Sequence, residues 1–84
     1  MNYSLFVLPR VQRALAGLPR EDYDRVKSAI ARLAENPRPA GCQKLAGRDG
    51  WRVRVGDYRI IYEIDGSVRS VTVLDVGHRR EVYR

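Results

Sequence analysis

Hydrophobic and polar residues alternate along residues 51–63, which read WRVRVGDYRIIYE. Alternation of this kind is typical of half-buried β-strands, because successive side chains point to opposite faces of a sheet. Gly56 and Asp57 interrupt the stretch, and such a pair predicts a two-residue hairpin turn, since glycine tolerates a positive φ. The register that this turn sets places Arg54 directly opposite Arg59.

The predicted hairpin has one apolar face and one basic face. Its apolar face carries Val53, Val55, Tyr58, Ile60, Tyr62 and Ile64. Its other face carries Arg52, Arg54 and Arg59. A solvated surface is the ordinary explanation for one exposed arginine, but three on one face indicate an anion site, because a guanidinium group donates hydrogen bonds in a planar fork that suits phosphate oxygens.

The pattern changes to helical spacing after a short apolar stretch at residues 3–8, which predicts a first strand. A first helix begins at Pro9 and ends near Gly17, and a second begins near Pro19 and ends at Asn36 and Pro37. The second helix has an apolar stripe formed by Tyr23, Val26, Ile30 and Leu33. Residues 38–50 have no clean period and predict an irregular connection, with a brief extended piece near Lys44.

A second turn signal at Asp65 and Gly66 precedes a β-branched run at residues 68–76, which predicts a central strand. The order of elements is therefore β-α-α-β-β-β. This order predicts a single α+β domain over residues 1–84, in which an αα-hairpin packs on one face of a small antiparallel sheet. The other face of that sheet is the arginine face, where we expect the function to lie.

Composition narrows the classes of partner. The 84 residues carry a formal net charge of +6, which favours a polyanion or an acidic protein as partner. Cys42 is the single cysteine, so no internal disulfide can form, and a cytoplasmic location is expected. The apolar run at residues 5–8 is too short for a membrane span. No His, Cys or carboxylate cluster has metal-ligand spacing, so neither a metal nor another cofactor is expected.

The C-terminal end places His78, Arg79, Arg80 and Tyr83 within six residues. A solvated basic terminus is the ordinary explanation for these arginines, and a lone histidine is more often a surface residue than a catalyst. Together with the hairpin arginines, however, they form a set suited to RNA, with phosphate-binding forks, an aromatic ring for base stacking and a titratable imidazole.

Residues 51–62 and 73–83 together closely resemble the RelE branch of the RelE/ParE toxin superfamily, and the likeness covers nearly the full length. The resemblance implies a toxin of a type II toxin–antitoxin system, an endoribonuclease that cleaves mRNA in the ribosomal A site and inhibits translation. The implied reaction is metal-independent attack of a ribose 2′-hydroxyl on the adjacent phosphate. The implied partners are mRNA on the ribosome and a cognate antitoxin whose acidic segment wraps the toxin, with operator DNA bound only through the antitoxin.

The resemblance also implies which residues act. The implied catalytic set is Arg52, Arg54, Arg59, Arg79 and Tyr83. Lys44, Arg48 and Arg80 are expected to bind RNA. Some members have lysine where this chain has Arg52 and Arg54, and arginine transfers protons poorly because it does not readily deprotonate. The general base is therefore left open, with His78 as a candidate proton carrier.

Two other functions compete with this interpretation. One is a toxin of the ParE branch that inhibits DNA gyrase on a similar scaffold. The other is an inactive module that binds the antitoxin without turnover. Retention of the basic residues and of Tyr83 favours the ribonuclease over the gyrase inhibitor, and replacement of Arg54 and Arg79, which should abolish toxicity only in a ribonuclease, separates it from the inactive module.

Overall fold

The computed structural model of the chain describes residues 2–78. Within that range the order is β1 (Ser4–Val7), α1 (Pro9–Ala16), α2 (Arg20–Leu33), β2 (Gln43–Lys44), β3 (Trp51–Val55), β4 (Tyr58–Asp65) and β5 (Ser70–His78). The α+β class is confirmed, and the brief extended piece predicted near Lys44 is the two-residue strand β2. The predicted site residues Arg79, Arg80 and Tyr83 lie outside the described residues.

The sheet is mixed, whereas the sequence predicted an antiparallel one. Its strands lie in the order β1-β5-β4-β3-β2, and β1 pairs with β5 in parallel. The other three pairs are antiparallel. The β3–β4 and β4–β5 pairs are both antiparallel, so β5 runs in the same direction as β3. Strand β1 pairs with the other edge of β5 and runs in this direction too. The β1–β5 pair joins strands that are far apart in sequence, so no local sequence pattern predicts that the two strands are parallel.

Both helices begin at the predicted prolines, and α1 ends beside Gly17 as predicted, whereas α2 ends at Leu33, three residues before the predicted stop at Asn36 and Pro37. Pro9 occupies the first turn of α1, where its missing N–H leaves no hydrogen bond unmade. Pro19 caps α2, and Glu21 and Asp22 lie in the first turn, where the helix dipole favours acidic side chains. The apolar stripes of both helices can therefore face the sheet along their whole length.

The core lies between the helices and one face of the sheet, which we call the helix face. Its buried members are Val11, Leu15, Val26, Ile30, Leu33, Ile60, Tyr62, Val71, Val73 and Val76. The remaining apolar residues predicted for this face of the hairpin pack against that cluster. The opposite face, which we call the open face, carries Arg52, Arg54 and Arg59, as the alternation predicted.

The β3–β4 hairpin has the predicted register. Val55 pairs with Tyr58 and Arg54 with Arg59 across the two-residue turn. Gly56, the first turn residue, has a φ of 59°, as type II′ turns require. The turn thus fixes two arginines side by side, an arrangement that is unfavourable because like charges directly opposite repel.

A β-bulge interrupts the pairing of β4 with β5. Tyr62 pairs with Val73 and Ile61 with Asp75, so Leu74 has no partner in β4. A bulge of this kind shifts the alternation of side chains by one position. As a result Asp75 lies on the open face beside Ile61, whereas unbroken alternation from Val73 would have turned it into the core.

The turn between β4 and β5 is longer than predicted, because β5 begins at Ser70 and not at residue 68. Asp65 accepts hydrogen bonds from the hydroxyl and the backbone N–H of Ser67, at 2.6 and 3.0 Å. These bonds lower the pKa of the Asp65 carboxyl. Arg69 ends the turn with a φ of 52°, and Val68 is exposed at its tip.

Tyr62 of β4 is hydrogen-bonded to the segment that follows α2. Its side chain is fully buried, and its hydroxyl donates a 2.7 Å hydrogen bond to the carbonyl oxygen of Pro37. Burial, reinforced by the neighbouring Cys42, raises the pKa of the Tyr62 hydroxyl. The hydroxyl therefore stays neutral and acts as a donor at physiological pH.

Replacing Tyr62 with phenylalanine should destabilise the fold by about 1–3 kcal/mol, because the buried Pro37 carbonyl loses its hydrogen-bond donor. Urea unfolding monitored by circular dichroism measures the change. Tyr23→Phe is the matched control, since the half-buried Tyr23 hydroxyl makes no hydrogen bond among residues 2–78. It should change the free energy of unfolding by less than about 0.5 kcal/mol. Equal effects of the two changes would contradict the role given to Tyr62.

Replacing Arg54 with glutamine should stabilise the fold by about 0.2–1 kcal/mol at low ionic strength, because it removes the like-charge pair with Arg59. The gain should shrink at high ionic strength, where salt screens the repulsion. Arg13→Gln is the control, because Arg13 lies in the last turn of α1, where a basic side chain is favourable. A loss of stability for Arg54→Gln in low salt would show that the pair is not repulsive.

Candidate functional site

A groove of about 510 Å³ crosses the open face. It is lined by Arg10, Gln43, Lys44, Leu45, Ala46, Arg48, Arg52, Ile61, Leu74 and Asp75. The volume lies in the range of small-molecule sites, about 300–1,000 Å³. Four of its residues are basic and one is acidic, and apolar side chains, including Ile61 and Leu74, complete the lining. Such a groove can hold a planar group against apolar side chains while basic groups bind attached anions.

Arg52 connects this groove to the hairpin arginines. It pairs with Gln43 of β2, and its Nη2 atom donates a hydrogen bond to the side-chain oxygen of that residue. A smaller cavity of about 250 Å³ is lined by Gly41, Gln43, Arg52 and Arg54. Arg52 therefore lines both spaces, and its contact with Gln43 restrains the guanidinium group between them.

Arg54 and Arg59 lie at the hairpin end of the open face in different environments. Arg54 is exposed, whereas only 7% of Arg59 is exposed. On its other side Arg59 pairs with Gly77 of β5. A charge held away from bulk water acts more strongly on its neighbours. This end of the sheet thus combines an interior cation with an accessible one.

The residues predicted to bind RNA that the structure describes, Lys44 and Arg48, both line the groove with Arg52. The Lys44 ammonium group lies 5.9 Å from the centre of the Trp51 ring, and the Arg38 guanidinium carbon lies 5.1 Å from it. Contacts at this distance are weakly attractive, because the ring face is electronegative. Trp51 therefore helps to hold Lys44 at the edge of the sheet.

Arg10 is a groove residue that the sequence analysis did not identify. Its Nε atom donates a 2.9 Å hydrogen bond to the carbonyl oxygen of Leu74, the residue at the bulge. This bond joins the first turn of α1 to β5, and the Arg10 residue lines the groove. The contact joins residues 64 positions apart, so no signal along the chain could have revealed it.

His78 does not join the arginines. It pairs with Tyr58, and paired residues share a face, so its ring lies on the helix face. The two rings meet edge to face with their centres 6.0 Å apart. The Tyr58 hydroxyl in turn donates a 3.2 Å hydrogen bond to Asp22 of α2, which also accepts one from Arg25 at 2.8 Å. The sheet therefore separates His78 from Arg54 and Arg59.

Residues 2–78 contain neither a candidate metal-ligand cluster nor a helix that could span a membrane. No group of three or more His, Cys, Asp or Glu side chains there could hold a metal ion. Neither helix of that part is long and apolar enough to cross a membrane.

Comparisons with known proteins agree on one family. A family model described as the ParE toxin of the type II toxin–antitoxin system parDE matches residues 7–83. A chain in the crystal structure of the archaeal RelE–RelB complex from Pyrococcus horikoshii OT3 is 30% identical, with 98% of this chain and 100% of that chain covered and a TM-score of 0.85. A chain of the toxin–antitoxin complex RelBE2 from Mycobacterium tuberculosis is 26% identical, with coverages of 94% and 100% and a TM-score of 0.82.

A curated relative supports assignment to the same family. The Methanocaldococcus jannaschii protein that carries the name RelE1 is 27% identical over 88 residues, which cover 100% of this chain and 98% of the relative. The family model spans both the hairpin and the C-terminal segment, and the structural likeness extends over nearly the whole fold. The chain belongs to the RelE/ParE toxin superfamily of type II toxin–antitoxin systems.

Proposed function

We propose that this toxin is an endoribonuclease that cleaves mRNA in the A site of the ribosome and so inhibits translation. The observation that carries the proposal is the meeting of Arg52, Arg54 and Arg59 on a sheet face that neither described helix covers, next to a groove with a basic rim. Such a face suits a phosphate chain whose attached bases need apolar contacts.

The proposed reaction is an internal transfer at one phosphate. The 2′-oxygen of a ribose attacks the neighbouring 3′-phosphorus, a new O2′–P bond forms and the P–O5′ bond breaks. The products are a 2′,3′-cyclic phosphate and a 5′-hydroxyl. The proton lost from the 2′-hydroxyl passes to a base, and the leaving 5′-oxygen takes up a proton, so the reaction needs neither water nor a redox partner.

The arginines contribute charge in this proposal. The phosphate gains negative charge in the transition state, and Arg54 and Arg59 stabilise it from fixed positions, without the reorganisation that water would need. Arg79, whose position lies outside the described residues, is proposed to join them. Arg52, together with Lys44 and Arg48, binds the flanking phosphates in the groove. The mutual repulsion of the two hairpin arginines is relieved when the phosphate binds between them.

We do not propose His78 as the proton carrier, because its ring lies on the helix face, opposite the arginines. Tyr83, which lies outside the described residues, is proposed to carry a proton or to stack on a base. The ribosome is proposed to position the message, which raises the effective concentration of the reacting groups. A small chain without an evident acid–base pair can act in this way.

The proposed partner in the resting cell is an antitoxin with an acidic segment. The Mycobacterium tuberculosis RelBE2 structure is a toxin–antitoxin complex, and the Pyrococcus horikoshii structure is a RelE–RelB complex. The net charge of +6 favours an acidic chain over the basic open face. An antitoxin segment on that face would block the RNA site, and operator DNA would be bound through the antitoxin.

Inhibition of DNA gyrase is the second candidate function, and the match to the ParE family model favours it. The two candidates predict different responses when the toxin is expressed without antitoxin. A ribonuclease stops incorporation of labelled amino acids first, whereas a gyrase inhibitor first induces DNA damage. An early DNA-damage response with continuing translation would overturn the ribonuclease proposal.

Replacing Arg54 with glutamine should slow single-turnover cleavage of a message on programmed ribosomes by about 100-fold or more, because one donor to the transition-state charge is lost. Quantified 5′ ends of the products give the rate. The variant should stay folded, since removal of the like-charge pair is stabilising.

Arg13→Gln is the matched control, because it makes the same change in an exposed arginine of α1 that does not line the groove. It should leave the cleavage rate unchanged. Equal rates for the Arg54 and Arg13 variants would remove Arg54 from the reaction.

A further inference from the structure

The end of β3 that carries Arg54 receives little support from the sheet. Within residues 2–78, strand β2 pairs only with Trp51 and Arg52 of β3, so residues 53–55 have β4 as their one strand neighbour. Across that pairing Arg54 lies directly opposite Arg59, and like charges in this arrangement repel. Strand pairing therefore leaves the two arginines where β3 is supported from one side.

Side chains of α2 support this end of the hairpin from the helix face. Asp22 lies in the first turn of α2, and its Oδ2 atom accepts a 3.2 Å hydrogen bond from the Tyr58 hydroxyl. Its Oδ1 atom accepts a 2.8 Å hydrogen bond from Nη2 of Arg25. That Nη2 atom also lies beside the turn, since it would be 3.7 Å from a β-carbon placed on Gly56. We call Asp22, Arg25 and Tyr58 the helix clamp, because one carboxylate joins α2 to the turn and to the first residue of β4.

The helix clamp acts on the residues next to the arginine pair. Tyr58 pairs with Val55 on one side and with His78 on the other, and the His78 ring meets the Tyr58 ring edge to face. The next pair along the two strands is Arg54 with Arg59. Successive residues of a strand share one backbone and point to opposite faces. A shift of Tyr58 on the helix face is therefore transmitted to Arg59 on the open face.

We propose that Asp22 and Tyr58 are positioning residues for RNA cleavage, which hold Arg54 and Arg59 in place around the scissile phosphate; this inference rests on the proposed ribonuclease function. Both residues act from the helix face, away from the RNA. Without the helix clamp the two like charges move apart, and they then stabilise the transition-state charge less well. The groove residues still bind the flanking phosphates, so the loss falls on the rate of the bound complex.

Tyr58→Phe removes the hydroxyl and keeps the ring that meets His78. On programmed ribosomes with toxin in excess, it should lower the saturating single-turnover rate by about tenfold, because small misplacements of reacting groups are costly. The toxin concentration that gives half of this rate should change by less than about twofold. Tyr23→Phe is the matched control, since Tyr23 is a partly buried tyrosine of α2 that lies outside the helix clamp. It should change neither quantity.

Asp22→Ala should slow cleavage as much as Tyr58→Phe, and the double variant should be no slower than either, because each change breaks the same contact. Asp22→Asn should stay within about threefold of the wild-type rate, since the amide oxygen can still accept the Tyr58 hydroxyl. Asp24→Ala is the control, because Asp24 pairs with the exposed Arg20 on the same helix. It should leave the rate unchanged. Circular dichroism should show each variant folded at the assay temperature.

A second measurement follows the arginine pair without RNA. Only 7% of Arg59 is exposed, so its Nε–H proton should exchange slowly with water and give a distinct signal in a nitrogen-correlated NMR spectrum. Loss of this signal in Arg59→Lys identifies it. Tyr58→Phe and Asp22→Ala should shift the signal and speed its exchange with water, whereas Tyr23→Phe and Asp24→Ala should do neither.

Unchanged cleavage in Tyr58→Phe and Asp22→Ala overturns the inference, as does a loss that appears only in the half-maximal concentration. Additive losses in the double variant, or equal losses in the control variants, overturn it as well. If wild-type protein cuts no message on ribosomes but the Arg59 signal responds to the clamp variants alone, the ribonuclease proposal fails and the helix clamp stands. If wild-type protein cuts and the signal ignores the clamp variants, the helix clamp is rejected and the ribonuclease stands.

Discussion

Arg54 and Arg59 lie directly opposite one another in the β3–β4 hairpin because the two-residue turn at Gly56 and Asp57 fixes the register. The same register sends Ile60 and Tyr62 into the core. A slip by one residue would therefore expose the core and bury the arginines together. Burial of the apolar face, at about 1.5–3 kcal/mol for each large aliphatic side chain, outweighs the repulsion of two arginines by far. The core thus holds in place a charge arrangement that the arginines alone would not adopt.

The β-bulge at Leu74 gives the open face its second feature. By adding one residue to β5, it turns Asp75 outward, and the Leu74 carbonyl oxygen receives the Nε atom of Arg10. One irregularity in the strand pairing therefore sets both an acceptor and a donor of the groove.

Local patterns in the sequence were sufficient for the helices, for the hairpin turn and for the face on which Arg52, Arg54 and Arg59 lie. They could not predict the parallel pairing of β1 with β5, the position of Arg10 or the bulge, because these depend on contacts between distant residues. The side of the sheet taken by His78 depends on that bulge as well. Prediction was accurate where residues two to four positions apart decide the structure, and it failed where packing between distant strands decides it.

In the proposed mechanism, the open face promotes attack by a ribose 2′-hydroxyl on the adjacent phosphate. The most direct measurement replaces that one ribose with 2′-deoxyribose in a message held in the A site of purified ribosomes. After addition of the toxin, the 5′ ends of the products are mapped. The all-ribose message should be cut at this phosphate, and the substituted message should stay intact there. A cut at the same phosphate in the substituted message, at an equal rate, would contradict the proposed mechanism.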